Sequence, residues 1–76
     1  MSVLERLEQV FHNVFGNDQI RLTDQTTAAD IPGWDSVAHI NLMFGIEQEF
    51  GVQFGSSEFA EMANVGQLVR WLEARR

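Results

Sequence analysis

Gly33-Trp34-Asp35-Ser36-Val37-Ala38-His39-Ile40-Asn41-Leu42-Met43-Phe44-Gly45-Ile46-Glu47-Gln48-Glu49-Phe50-Gly51 is the stretch that decides the fold. The Pro32-Gly33 pair breaks any earlier element. Asp35 and Ser36 are both good helix caps, and apolar residues recur at helical spacing directly after them. Gly51 is a natural stop. The spacing predicts a helix over 36–50.

That helix carries two apolar stripes. At 100° per residue, Leu42, Met43, Ile46 and Phe50 share one arc with His39, and Val37, Ile40 and Phe44 share a second. Ser36 and Glu47 fall between them; Ala38, Asn41, Gly45, Gln48 and Glu49 fill the far side. Two readings stand. Either the helix is central and both stripes are core, or Leu42, Ile46 and Phe50 are core and Val37, Ile40 and Phe44 form an exposed strip for docking partners. Glu47 favours the second, because a carboxylate between two buried stripes needs a partner whereas exposure satisfies it directly.

Working outward, residues 16–34 form a long connection with Asp18, Asp24 and Asp30, three threonines and one proline. Connections of this length in a small domain are usually functional or anchored, and Ile20, Leu22 and Ile31 are the expected anchors. A short helical turn is expected near 27–30. The acids lack the alternating ligands and closing glutamate of a calcium loop, so no metal site is assigned. Before this connection, Ser2-Val3-Leu4-Glu5 is a capping box. The apolar positions Val3, Leu4, Leu7, Val10, Phe11, Val14 and Phe15 then define a helix over 3–15 that ends at Gly16. His12, on its polar side, is expected to be solvated.

After Gly51, Val52-Gln53-Phe54 reads as a short extended segment. Gly55-Ser56-Ser57 leads into a brief helix holding Phe59 and Met62. Asn64 caps a last helix with Val65, Leu68, Val69 and Leu72 on one face and Trp71 at its edge. Arg70, Arg75 and Arg76 suit the negative end of its dipole. The expected architecture is all-α, a small four-helix bundle of three longer helices and one short one, in a single domain over 1–76.

The 76 residues carry eleven acids against five arginines and no lysine, a net charge of −6. Such a surface disfavours nucleic acid and anionic membranes and favours basic protein partners. At this size a chain buries only roughly 60–65% of its unfolded surface, which leaves no room for a deep enzyme pocket. With no cysteine there is no disulfide or thiolate chemistry, and no basic leader precedes an apolar run, so a cytoplasmic location is expected.

Asp35, Ser36 and His39 lie close enough to raise a Ser-His-Asp hydrolase. The reading fails because Asp35 and Ser36 point in different directions, no oxyanion hole is available and nothing in the sequence orients His39. A second role needs only Ser36. If Asp35 is the cap, Ser36 is the first helical residue and its hydroxyl faces solvent. A phosphodiester there gains about 0.3–1 kcal/mol from the helix start. The plainer account is that both are ordinary capping residues.

At Asp35-Ser36-Val37 the sequence resembles the acyl carrier proteins, whose Asp-Ser-Leu-type motif carries a phosphopantetheine arm; Val37 is a mild variant of the third position. The resemblance extends through Gly33-Trp34-Asp35-Ser36, through Ile40, Leu42, Ile46, Glu47, Glu49 and Phe50, and to Asn64-Val65. It implies an acyl-carrier-like bundle and a chain that is not an enzyme. A phosphopantetheinyl transferase would place 4'-phosphopantetheine from coenzyme A on Ser36, with Asp35 serving cap and transferase recognition. An acyl- or aminoacyl-loading ligase and downstream transferases or synthases would then use the arm's thioester. Docking maps by position to Val37, Ile40, Phe44 and Glu47. Ala38, Asn41 and Gln48 stand where fatty-acid carriers commonly bear acids, Trp34 and His39 are less typical of that group, and the pattern Gly33-Trp34-Asp35-Ser36 looks more like free-standing, monomeric carriers of specialised aminoacyl, nonribosomal-peptide or polyketide pathways. The alternative from another class is an unmodified acidic interaction module that docks a partner through the same helix.

Overall fold

Ser2 and Glu5 start the first helix reciprocally: the Glu5 amide donates to Ser2 Oγ (3.1 Å) and the Ser2 amide to Glu5 Oε1 (2.9 Å). The Ser2 amide foremost, and then its hydroxyl, hold the Glu5 carboxyl below the usual carboxylate range. Helix α1 spans Val3–Phe15 and stops at Gly16, in the left-handed conformation. The computed structural model describes residues 2–53 and 55–75. Within them follow a 3-10 turn at Ala28–Asp30, α2 at Ser36–Phe50, α3 at Ser56–Ala60 and α4 at Val65–Ala74. No strand occurs among the described residues, and no helix there is long and apolar enough to cross a membrane. The architecture is the expected all-helical bundle of three longer helices and a short one.

The three longer helices begin where capping chemistry predicted, and α1 and α2 also end there, at Gly16 and Gly51, but three expectations need correction. Met62 lies beyond α3, because its amide donates to the Phe59 carbonyl (3.2 Å) and closes the helix early. His12 is half-buried: its Nε2 lies 2.8 Å from the Ile20 carbonyl, to which it donates. Gly45 and Glu49 do not face away from the bundle but meet α1. A Cβ on Gly45 would sit 3.0 Å from Val10 Cγ1, so the missing side chain lets the two helices close together. Arg6 of α1 reaches Glu49 twice, at the carboxylate (3.0 Å) and at the carbonyl (2.6 Å), and its guanidinium covers the Phe50 ring at 4.5 Å. The exposed ion pair contributes little, whereas the second bond satisfies a carbonyl that the end of α2 leaves unpaired. Phe54, expected to be extended, and Arg76, expected beside the end of α4, fall outside the described residues.

The core joins Leu7 and Phe11 of α1 to Leu42 and Ile46 of α2, Phe59 of α3 and Leu68 and Leu72 of α4. The long connection belongs to it through Ile20, Leu22 and Ile31, all buried. Its backbone is tied as well. The Leu22 amide donates to the Glu8 carboxylate (2.9 Å), while the Val65 and Gly66 amides donate to the Thr26 and Asp24 carbonyls (2.8 and 2.9 Å). These last two amides belong to the first turn of α4 and have no acceptor inside their own helix. The connection thus completes α4, and Asn64 completes it from the other side by accepting from the Gln67 amide. Gly66 is required at this crossing, because a Cβ would lie 2.8 Å from the Asp24 carbonyl oxygen.

Candidate functional site

The approach to α2 is built by two successive turns. The Trp34 amide donates to the Ile31 carbonyl (3.3 Å) and the Asp35 amide to the Gly33 carbonyl (2.9 Å), with Gly33 at φ 89°. Trp34 cannot swing free, because its ring lies edge-on to Phe11 (centroids 5.4 Å, 79°) and against Phe15 (6.1 Å). The connection therefore delivers Asp35 to a fixed place at the head of α2.

Asp35 is the cap. It is extended, and its Oδ1 accepts from the Ala38 amide at 2.9 Å. Its carbonyl takes the His39 amide (2.8 Å), the first bond of the helix ladder. Ser36 is consequently the first helical residue, exposed, and relieved of capping. A hydroxyl so placed can accept a covalent group without loss of a cap or of packing.

His39 is the partly exposed structural residue that its place on the helix leads one to expect, but it departs from its sequence reading in being oriented. Trp34 Nε1 donates to His39 Nδ1 at 3.2 Å, and the Phe59 ring lies 4.4 Å from the imidazole, tilted by 34°. The ring is therefore oriented, which a spacing argument could not show because the orienting groups come from the connection and from α3. Orientation does not revive the hydrolase: with Nδ1 occupied by an indole, no carboxylate holds the ring as a triad requires.

The two stripes separate cleanly. Leu42 and Ile46 are wholly buried, while Val37, Ile40 and Phe44 are 68%, 49% and 54% exposed, so the reading in which both stripes are core is wrong. Phe50 and Met43 are half-buried at the core's margin. Glu47, expected to be exposed, is half-buried. It lines a shallow groove with Phe44, Gly51 and Val52. Ser36, Val37, Ile40, Phe44 and Glu47 all belong to α2, with Asp35 as its cap.

The sequence matches the phosphopantetheine attachment site family over residues 5–72. It is 23% identical over 74 residues to an acyl carrier protein of Thermotoga maritima, covering 97% of this chain and 91% of that one. To an acyl carrier protein of Helicobacter pylori it is 25% identical over 73 residues, covering 96% and 94%. Among solved structures, the solution structure of a holo acyl carrier protein from Geobacter metallireducens superposes with a TM-score of 0.87. It is 36% identical, covering 97% of this chain and 85% of that one.

Proposed function

The chain belongs to the acyl carrier protein family, whose shared feature is a phosphopantetheine attachment site, and on that footing we propose that Ser36 bears the arm. The chain is a carrier and not an enzyme, and its cofactor is covalent 4'-phosphopantetheine. One observation supports Ser36 above all: the Asp35 carboxylate caps α2 through the Ala38 amide, so the hydroxyl at the first helical position is exposed and unneeded for capping.

In this reading the chain contributes a nucleophile and a surface. Ser36 Oγ forms a new O–P bond, the pyrophosphate link of coenzyme A breaks, and adenosine 3',5'-bisphosphate leaves. The transferase supplies the base and magnesium, so no base is needed beside Ser36. The attached arm supplies a thiol that holds cargo as a thioester. Asp35 has two tasks, keeping the α2 entrance in register and presenting Ser36 to the transferase.

Carriers of this family work with partner enzymes. Val37, Ile40, Phe44 and Glu47 form the proposed docking surface. The three apolar side chains are the large hydrophobics most open to solvent among the described residues, and they run along α2 from the turn that holds Ser36. Loading ligases and downstream transferases or synthases would meet this strip, with Glu47 drawing basic groups. A monomeric, cytoplasmic carrier of a specialised acyl or aminoacyl pathway is the form we favour. The absence of cysteine fits a reducing compartment, and Ala38, Asn41 and Gln48 set α2 apart from strongly acidic carriers. Incubating the protein with coenzyme A, magnesium and a broad-specificity transferase should add the mass of one arm, and Ser36→Ala should add none. An equal gain in Ser36→Ala would overturn the assignment.

A further inference from the structure

An indole nitrogen can only donate. The 3.2 Å bond from Trp34 Nε1 to His39 Nδ1 therefore requires a lone pair on Nδ1, and the neutral ring must carry its proton on Nε2. The Trp34 bond thus fixes the tautomer as well as the pose, while Phe59 braces the ring from α3. That bond is the imidazole's one side-chain hydrogen bond among the described residues, which leaves Nε2–H available as a donor.

The ring stands where such a donor has a use. His39 is half-buried, and together with Ala28, Trp34, Asp35 and Ser36 it lines a surface recess. Ser36 and His39 are three residues apart on α2, neighbours on one helix face, and helical side chains lean toward the N-terminus, which carries His39 toward the Ser36 end. On its inner side the ring meets a second cavity, walled by Phe59, Met62 and Leu68 among others, which has no charged side chain in its lining. Asp35 is the one carboxylate of the recess, and its Oδ1 already accepts from Ala38. A phosphodiester on Ser36 would bring a permanent anion to this recess, and hydrogen bonds to an ionised acceptor are the stronger kind.

We propose that His39 is a positioning residue for the prosthetic arm, donating from Nε2–H to the phosphodiester on Ser36 and holding the arm's near end against the recess. Trp34 acts one step behind it, by keeping the imidazole proton on Nε2. The proposal rests on Ser36 as the attachment residue, so its test begins by establishing that separately.

Intact mass of the wild-type and Ser36→Ala proteins after priming decides the attachment residue; failure there rejects Ser36 and leaves the tautomer of His39 untouched. The holo protein is then read by nitrogen and phosphorus NMR. Loading should shift the His39 Nε2 and Nε2–H signals and leave Nδ1 unprotonated. The phosphorus resonance of His39→Phe holo protein should move away from the wild-type position, with faster motion in the adjoining arm methylenes. His39→Gln, which retains an N–H donor in the place of Nε2, should recover most of the wild-type phosphorus shift. Identical phosphorus shifts and arm relaxation in wild type and His39→Phe would overturn the proposal. So would a wild-type Nε2 signal indifferent to loading, a result that needs no variant to fold.

Discussion

Phe44→Ala and Ile46→Ala truncate two large side chains two residues apart on α2, and the structure assigns them opposite consequences. Phe44 is 54% exposed. Burying a whole phenylalanine is worth about 1.5–3 kcal/mol, so its truncation forfeits less than half of that, roughly 1 kcal/mol. Alanine's better helix propensity returns about 0.5 kcal/mol. The net loss is about 0.5 kcal/mol, a fall in melting temperature of about 2–4 °C for a domain of this size. Ile46 has 0% exposure. Its truncation leaves a cavity and costs about 2–5 kcal/mol. Against a total stability on the order of 4–11 kcal/mol, that lowers melting by at least about 8 °C or unfolds the chain. Priming kinetics supply the second reading. A hot-spot side chain costs more than about 1 kcal/mol when truncated, so with Phe44 as the anchor of the strip kcat/KM for the transferase should fall about five- to ten-fold for Phe44→Ala in a protein that remains folded. Thermal unfolding by circular dichroism and intact-mass time courses measure both. A Phe44→Ala protein that melts as low as Ile46→Ala, or one that is primed at the wild-type rate, would refute the docking strip.

Three further outcomes follow from local geometry. Gly66→Ala forces a Cβ to within 2.8 Å of the Asp24 carbonyl oxygen, and should cost about 1–3 kcal/mol; amide exchange at Val65 and Gly66 should speed up relative to the rest of α4. Asp35→Ala removes the α2 cap and should cost about 1 kcal/mol, a melting decrease of about 4–8 °C. Asp35→Asn, which can still accept from Ala38, should melt close to wild type. Glu5 has a lowered folded-state pKa. Its contribution is present at pH above its unfolded-state value and disappears as the pH falls through the lowered folded-state value. In pH-dependent melting from neutral pH to below about 4, Glu5→Gln should therefore lose less stability than wild type; parallel curves would remove the capping box from the acid response.

The sequence made the helices legible because their ends are local chemistry. Ser2 with Glu5, Asp35 with Ala38, and Asn64 with Gln67 are bonds between residues three apart, and spacing alone reveals them. The exposed first-turn position of Ser36 was readable for the same reason, since Asp35 takes the capping task. The exposed strip was readable only as one of two options, because a period cannot say which stripe has a neighbour to bury it. What stayed hidden is what the long connection does with its backbone. Glu8 takes the Leu22 amide, His12 holds the Ile20 carbonyl, and Gly66 passes close to Asp24. Each depends on the path of an irregular segment that carries no periodicity. The pinning of His39 by Trp34 and Phe59 was hidden likewise, since it draws on three separate parts of the chain.

In the proposed carrier the arm sits on one particular oxygen, Ser36 Oγ. The chain has four serines, Ser2, Ser36, Ser56 and Ser57, and Ser36 alone follows a capping carboxylate at the head of a long helix. The most direct measurement is fragmentation mass spectrometry of the primed wild-type protein, which locates the added phosphopantetheine along the chain. Every modified fragment should contain Ser36, and fragments holding only Ser2, Ser56 or Ser57 should be unmodified. A modified fragment that excludes Ser36 would contradict that placement.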